Sequence, residues 1–243
     1  MSALPAVSIA SNNQYTWNKM ERSQSSMTTW KDLNFWKTPA WHEVLKTLKA
    51  EEGQFVPPIE DVFRPLIETP LDKVRVVILG GEPHSMMAND GLAFSYPRVV
   101  QDPGLLPQTL QNIFEEYEHD LRWPTPKSGC LDKWAQYGVL LWNATPTVHK
   151  SKPRSHVGIG WHELTNEILT TCYNENPNTV FLLWNTARDH YIDFLPEKAL
   201  IVDAVGPQIM GKDFDQFFGS SPFTKVNSML VATGQDPIFW RLP

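Results

Sequence analysis

Apolar positions along this chain alternate between two periods. Val74-Arg75-Val76-Val77-Ile78-Leu79 is a short β-branched run ending at Gly80-Gly81, the pattern of a strand buried on both faces that feeds a loop. Similar runs stand at Val139–Trp142, Val180–Trp184 and Ala199–Val202. Between them apolar residues recur at helical spacing over Leu110–Tyr117, Trp161–Tyr173 and Thr186–Phe194, and a last helix is expected near Thr224–Thr233. Upstream, Trp30, Leu33, Trp36, Trp41, Val44, Leu45 and Leu48 predict a helical layer over Trp30–Lys49. Pro57-Pro58 ends it, and the stretch to Pro70 reads as loop.

Strand alternating with helix predicts an α/β fold, a central four-stranded parallel sheet flanked by helices on both faces. Ligands of such sheets sit outside the carboxyl ends of the strands. That places the chemistry in the loops Gly80–Ser85, Asn143–Thr147, Asn185–Thr186 and Ala204–Met210.

Composition narrows the class. Hydrophobic residues at 42% against 20% charged describe a chain that buries a core, which rules out wholesale disorder. The polar stretch through Met27 reads as a flexible leader, 1–27, ahead of a single domain, 28–243. A net charge of −6 excludes a polycation, so any contact with nucleic acid needs a local basic patch. Lys150, Lys152, Arg154 and His156, beside Ser151 and Ser155, form one at the sheet's carboxyl edge.

No apolar run approaches the roughly 20 residues that span a bilayer, and the start of the chain lacks the pattern of a secretion signal. Two cysteines, Cys130 and Cys172, make neither a disulfide framework nor a four-thiolate zinc site. The other histidines (His42, His119, His149, His162, His190) lack ligand spacing, so no metal and no cofactor are expected. A monomeric cytoplasmic protein is the resulting expectation.

Gly80-Gly81-Glu82-Pro83-His84 is neither a dinucleotide fingerprint nor a P-loop. It belongs instead to an ordered set. Pro57 to Phe63 reads P-P-x-x-D-V-F, and Gly91-Leu92-Ala93-Phe94-Ser95 follows the first strand. Leu141-Trp142-Asn143, Ser155-His156 ahead of Gly160-Trp161, Phe217-Phe218-Gly219 and Pro237-Ile238-Phe239-Trp240 come later. Together these resemble the uracil-DNA glycosylase family, specifically its family-1 branch, from about Trp30 to Trp240.

The resemblance implies a monofunctional DNA glycosylase with DNA as partner: water enters, and a free base and an abasic sugar leave. It implies that Phe94 stacks on an extruded base, that Asn143 bonds its Watson–Crick edge and that the backbone around Gly81 holds a pyrimidine oxygen. An aromatic face plus one bidentate amide is the minimum needed to read a single flipped pyrimidine. Glu82 stands where the family has its water-orienting aspartate, and a carboxylate there stabilises a cationic sugar. Ser155, His156, Lys150, Lys152, Arg154, Pro107, Gln108, Pro207 and Lys212 are expected along the DNA, with Ile209 or Met210 as an apolar wedge.

Two signatures depart from the family. G-Q-D-P-Y-H is here Gly80-Gly81-Glu82-Pro83-His84-Ser85, so the tyrosine that fences pyrimidine C5 is replaced by His84 or Ser85. The segment Ala204–Lys212 lacks the histidine that supports the departing base, for which His84 is a candidate substitute. The missing fence favours a glycosylase rebuilt for a C5-modified pyrimidine, such as the hydroxymethyl- or glucosyl-hydroxymethylcytosine of phage DNA, in antiviral defence. The alternatives are an ordinary uracil-DNA glycosylase of base excision repair and a catalytically degenerate DNA-binding protein.

Overall fold

The computed structural model describes residues 26–27, 29–85, 89–97, 103–184, 186–208 and 217–243. Nearly all of the expected leader lies outside them, but Met27 is buried in the core, and its carbonyl accepts from the backbone N–H of Trp30 and Lys31.

In chain order the elements are α1 (Pro39–Ala50), β1 (Phe55–Val56), α2 (Arg64–Glu68), β2 (Val76–Gly80), α3 (Gln108–Leu121), α4 (Asp132–Gln136), β3 (Val139–Asn143), β4 (Val148–His149), α5 (Trp161–Glu175), β5 (Val180–Trp184), α6 (Thr186–Tyr191), β6 (Leu200–Ala204) and α7 (Pro222–Ala232). The helix expected over Trp30–Lys49 begins only at Pro39, whose fixed φ suits a first turn, with the Thr38 hydroxyl accepting from Trp41 N at 3.3 Å. Before it the chain turns, because indoles supply its bonds: Trp30 Nε1 donates to Thr69 O and Trp36 Nε1 to Trp30 O. The stretch read as loop holds α2, and α4 was not anticipated.

The main sheet has four strands in the order β3-β2-β5-β6, parallel throughout, while β1 and β4 form a small antiparallel pair. Alternate residues of the central strands enter different cores. Val77, Leu79, Leu140, Trp142, Phe181 and Leu183 face α1 and α5. There Phe35, Trp36, Trp41, Phe63 and Trp161 pack with ring centroids 5.3–6.4 Å apart. Val76, Ile78, Val139, Leu141, Val180 and Leu182 face α3, α4 and α7. Burial on both faces explains why these strands are continuous apolar runs.

Helix α3 also holds distant backbone. Asn112 Nδ2 donates to Pro207 O at 2.9 Å. One turn on, the fully buried Glu116 accepts from Gly219 N at 2.6 Å and Ser221 N at 2.7 Å. A further turn on, Asp120 accepts from Phe223 N and Thr224 N at the start of α7, where a carboxylate also suits the helix dipole. No helix among the described residues is long and apolar enough to cross a membrane.

Candidate active site

The strand register sets the site. Gly80 ends β2 directly opposite Asn143, which ends β3. Pairing continues past both strands, with Ala144 N donating to Gly80 O at 2.8 Å and Thr145 N to Gly81 O at 2.9 Å. A Cβ on Gly80 would collide with Asn143 Oδ1 and meet Ala93 Cβ at 3.1 Å and Phe94 Cε2 at 3.4 Å. The amide and the phenyl ring therefore converge over a glycine because no side chain fits between them.

Phe94 is held in the left-handed region at φ 64°, an uncommon conformation for a bulky residue that only surrounding contacts maintain. Those contacts are present on both sides. Ala93 N donates to Leu141 O at 3.0 Å, Ser95 N to Leu92 O at 3.2 Å and Tyr96 N to Gly129 O at 2.9 Å. Ser95 Oγ donates to Asp90 Oδ2 at 2.8 Å and accepts from Leu131 N at 3.1 Å. Arg64 bridges Asp90 at 3.2 Å and Asp132 at 2.6 Å, tying the loop to α2 and α4. Burial pushes the Asp90 carboxyl up, against the pull of Ser95 and Arg64. The half-buried Phe94 ring stands edge-on to Trp184 at 5.2 Å.

Glu82 is half-buried, and both its oxygens accept from Arg154 N, at 3.0 and 3.1 Å. Burial raises its carboxyl above the ordinary value, opposed by that hydrogen bond and by the charges of Arg154 and His156. A cavity of about 330 Å³ is lined by Glu82, His84, Ser85, Phe94 and Asn143, with Asn89, Thr109 and Leu110 also on its wall. A second, of about 340 Å³, shares Gly81, Glu82, Phe94 and Gln208 with it and opens toward Arg154, Val157 and His190. Among the described residues no side chain engages the Asn143 amide, though the residue is only 4% exposed. An aromatic face, an uncommitted amide and a carboxylate thus meet at one hollow, the combination needed to read and cleave off a single base.

Several expected DNA contacts turn out otherwise. His156 is fully buried. Trp161 Nε1 donates to Thr147 Oγ1, and the His156 ring lies between Thr147 and Glu51, with Nδ1 2.8 Å from Thr147 Oγ1 and Nε2 2.8 Å from Glu51 Oε2. That places the ring inside the protein and not against a phosphate. Lys150 Nζ donates to Gly53 O at 2.8 Å, and Ser155 Oγ accepts from His149 N at 3.0 Å. Both therefore brace the loop. Lys152 and Arg154 remain exposed. Pro107 lines the first cavity, whereas Gln108 donates inward to Asn112 at 2.9 Å and Pro207 is buried. Ile209, Met210 and Lys212 lie outside the described residues.

The Arg64 bridge, Gln208 and His190 were not anticipated as part of the site. Gln208 was findable as the only side chain with an N–H in Ala204–Gln208. No group of three or more His, Cys, Asp or Glu among the described residues could hold a metal ion.

Residues 67–237 match the family model of the uracil DNA glycosylase superfamily. A uracil-DNA glycosylase of Acinetobacter baylyi is 38% identical over 198 residues, covering 80% of this chain and 81% of that protein. One of Coxiella burnetii is 36% identical over 232 residues, covering 89% and 98%. Among solved structures, mimivirus uracil-DNA glycosylase superposes with a TM-score of 0.76 at 21% identity, covering 92% of this chain and 93% of that one.

Proposed function

The chain belongs to the uracil-DNA glycosylase superfamily and is a DNA glycosylase, and from that premise we propose that its substrate base is uracil, removed as the first step of excision repair. This reverses the order in which the altered motifs rank the substrates. The similarity to uracil-DNA glycosylases extends over most of the chain, while the departures are confined to short loops. The observation that carries the reading is the convergence of Phe94, Asn143 and Glu82 on one cavity.

In this reading the extruded uracil lies on the Phe94 ring, and the Asn143 amide accepts from N3–H and donates to O4. The ionised Glu82 faces the sugar, stabilises positive charge as the C1′–N1 bond breaks, and holds the attacking water. The water oxygen bonds to C1′ and gives up one proton to Glu82, and the bonding pair leaves with N1. The departing base anion ends by taking up one proton, so that water is consumed and a free base and an abasic sugar remain. Arg154 N donates to both carboxylate oxygens and so fixes where the longer glutamate side chain ends. Lys152 and Arg154 face the phosphates.

The test is excision from a uracil-containing oligonucleotide, read as alkali-labile sites. Release by the native protein and a loss of about a hundredfold or more in Glu82→Gln is expected. No release by the native protein overturns it.

A second reading has its own observation. The cavity is lined by His84 and Ser85, the residues expected to stand where the family tyrosine fences C5. Thymine, 5-hydroxymethylcytosine and its glucosylated form in the same assay decide it. Excision of those in preference to uracil would restore the modified-base reading and with it a role in defence.

A further inference from the structure

Breaking a bond from sugar to pyrimidine leaves an electron pair on N1 that spreads onto O2, so a donor at O2 lowers the barrier. Ala204–Gln208, at the carboxyl end of β6, contains no histidine to provide one. We propose that the Gln208 side-chain amide is this donor, an inference that rests on the uracil reading above.

The position follows from the two cavities. The first holds the base, because Phe94 and Asn143 line it, and the second opens toward Arg154 and Val157, where the rest of the nucleotide must run. The bond between base and sugar then lies at the wall they have in common, made by Gly81, Glu82, Phe94 and Gln208. Glu82 only accepts when ionised, and Phe94 and Gly81 have no donor in their side chains. Gln208 is the one side chain of that wall able to donate. His84 lines only the base cavity and His190 only the other.

Gln208 is also set in place. Asn112, 5% exposed, donates to the carbonyl of Pro207 at 2.9 Å and accepts from Gln108 Nε2 at 2.9 Å. The backbone that enters Gln208 is thereby fastened to α3, with Gly206 and Pro207 both buried. Across the wall a Cβ on Gly81 would meet nothing within 4 Å. The glycine leaves free room there, into which a long amide can reach.

A donor to the leaving group has a signature that a structural residue lacks. It matters less when the departing anion is intrinsically more stable, as for 5-fluorouracil. The experiment is single-turnover release of uracil and of 5-fluorouracil by the native protein, Gln208→Leu and Gln208→His. Gln208→Leu should slow uracil release about a hundredfold and 5-fluorouracil release clearly less, and Gln208→His should recover most of the loss. An equal loss on both bases, or none, overturns the assignment. Failure of the native protein to release uracil would instead bring down the substrate reading, and this inference with it.

Discussion

The two sides of the cleft are built on different terms. On the base side, Gly80, Phe94 and Asn143 are fixed by strand register, by main-chain bonds on either side of Phe94 and by the Arg64 bridge. On the side proposed to face DNA, Lys150, Ser155 and His156 have polar contacts to the protein, and Lys152 and Arg154 are exposed. Recognition of a base requires sub-ångström placement and is carried by rigid elements, whereas phosphate attraction tolerates loose geometry. Glu82 joins the two: it starts on the loop after β2 and ends on the backbone of the basic loop.

The sharpest way to break this contrast is at the joint. Glu82→Gln is expected to cut excision about a thousandfold while leaving DNA binding intact, as read by single-turnover rates and a binding titration. Next comes Gly80→Ala, which pushes the Asn143 amide and Phe94 apart. A displacement of about 1 Å predicts a hundredfold slower reaction from a protein that still folds, checked by circular dichroism alongside the rate. Arg64→Met removes the partner of two partly buried carboxylates. Its unfolding free energy should fall by about 2 kcal/mol in a denaturant titration, with a roughly tenfold rate loss.

The pH profile should follow Glu82. Its carboxyl is raised by burial, and the ionised form is the active one, so activity falls as pH drops through a value above that of an ordinary glutamate. The folded state holds this proton more tightly than the unfolded state. Ionisation of Glu82 therefore lowers stability as pH rises from the unfolded to the folded value. Glu82→Gln should remove the acid limb and leave the melting temperature at neutral pH unchanged or higher. The smallest effect is expected of Lys152→Ala, which should weaken DNA binding modestly and reduce the slope of log K against log salt by about one.

The strands were legible because residues buried on both faces leave uninterrupted β-branched runs, and the loops at their carboxyl ends followed from the parallel order. Glu82, Phe94 and Asn143 could be named from motif order. That Asn143 lies beside Gly80 is a matter of register, which the sequence does not display. The Arg64–Asp132 contact spans 68 positions and leaves no local pattern. The basic cluster is legible only in part for a related reason: spacing shows that charges are neighbours but not which way they point. Burial turned His156 inward, and a carbonyl from Gly53 took up Lys150.

Asn112, Glu116 and Asp120 fasten Pro207, Gly219 and the start of α7 at consecutive turns of one helix. Pro207 and Gly219 are thus moored to side chains one pitch, about 5.4 Å, apart along that helix. Because both moorings belong to one rigid rod, any tilt of α3 carries Pro207 and Gly219 together and keeps their spacing.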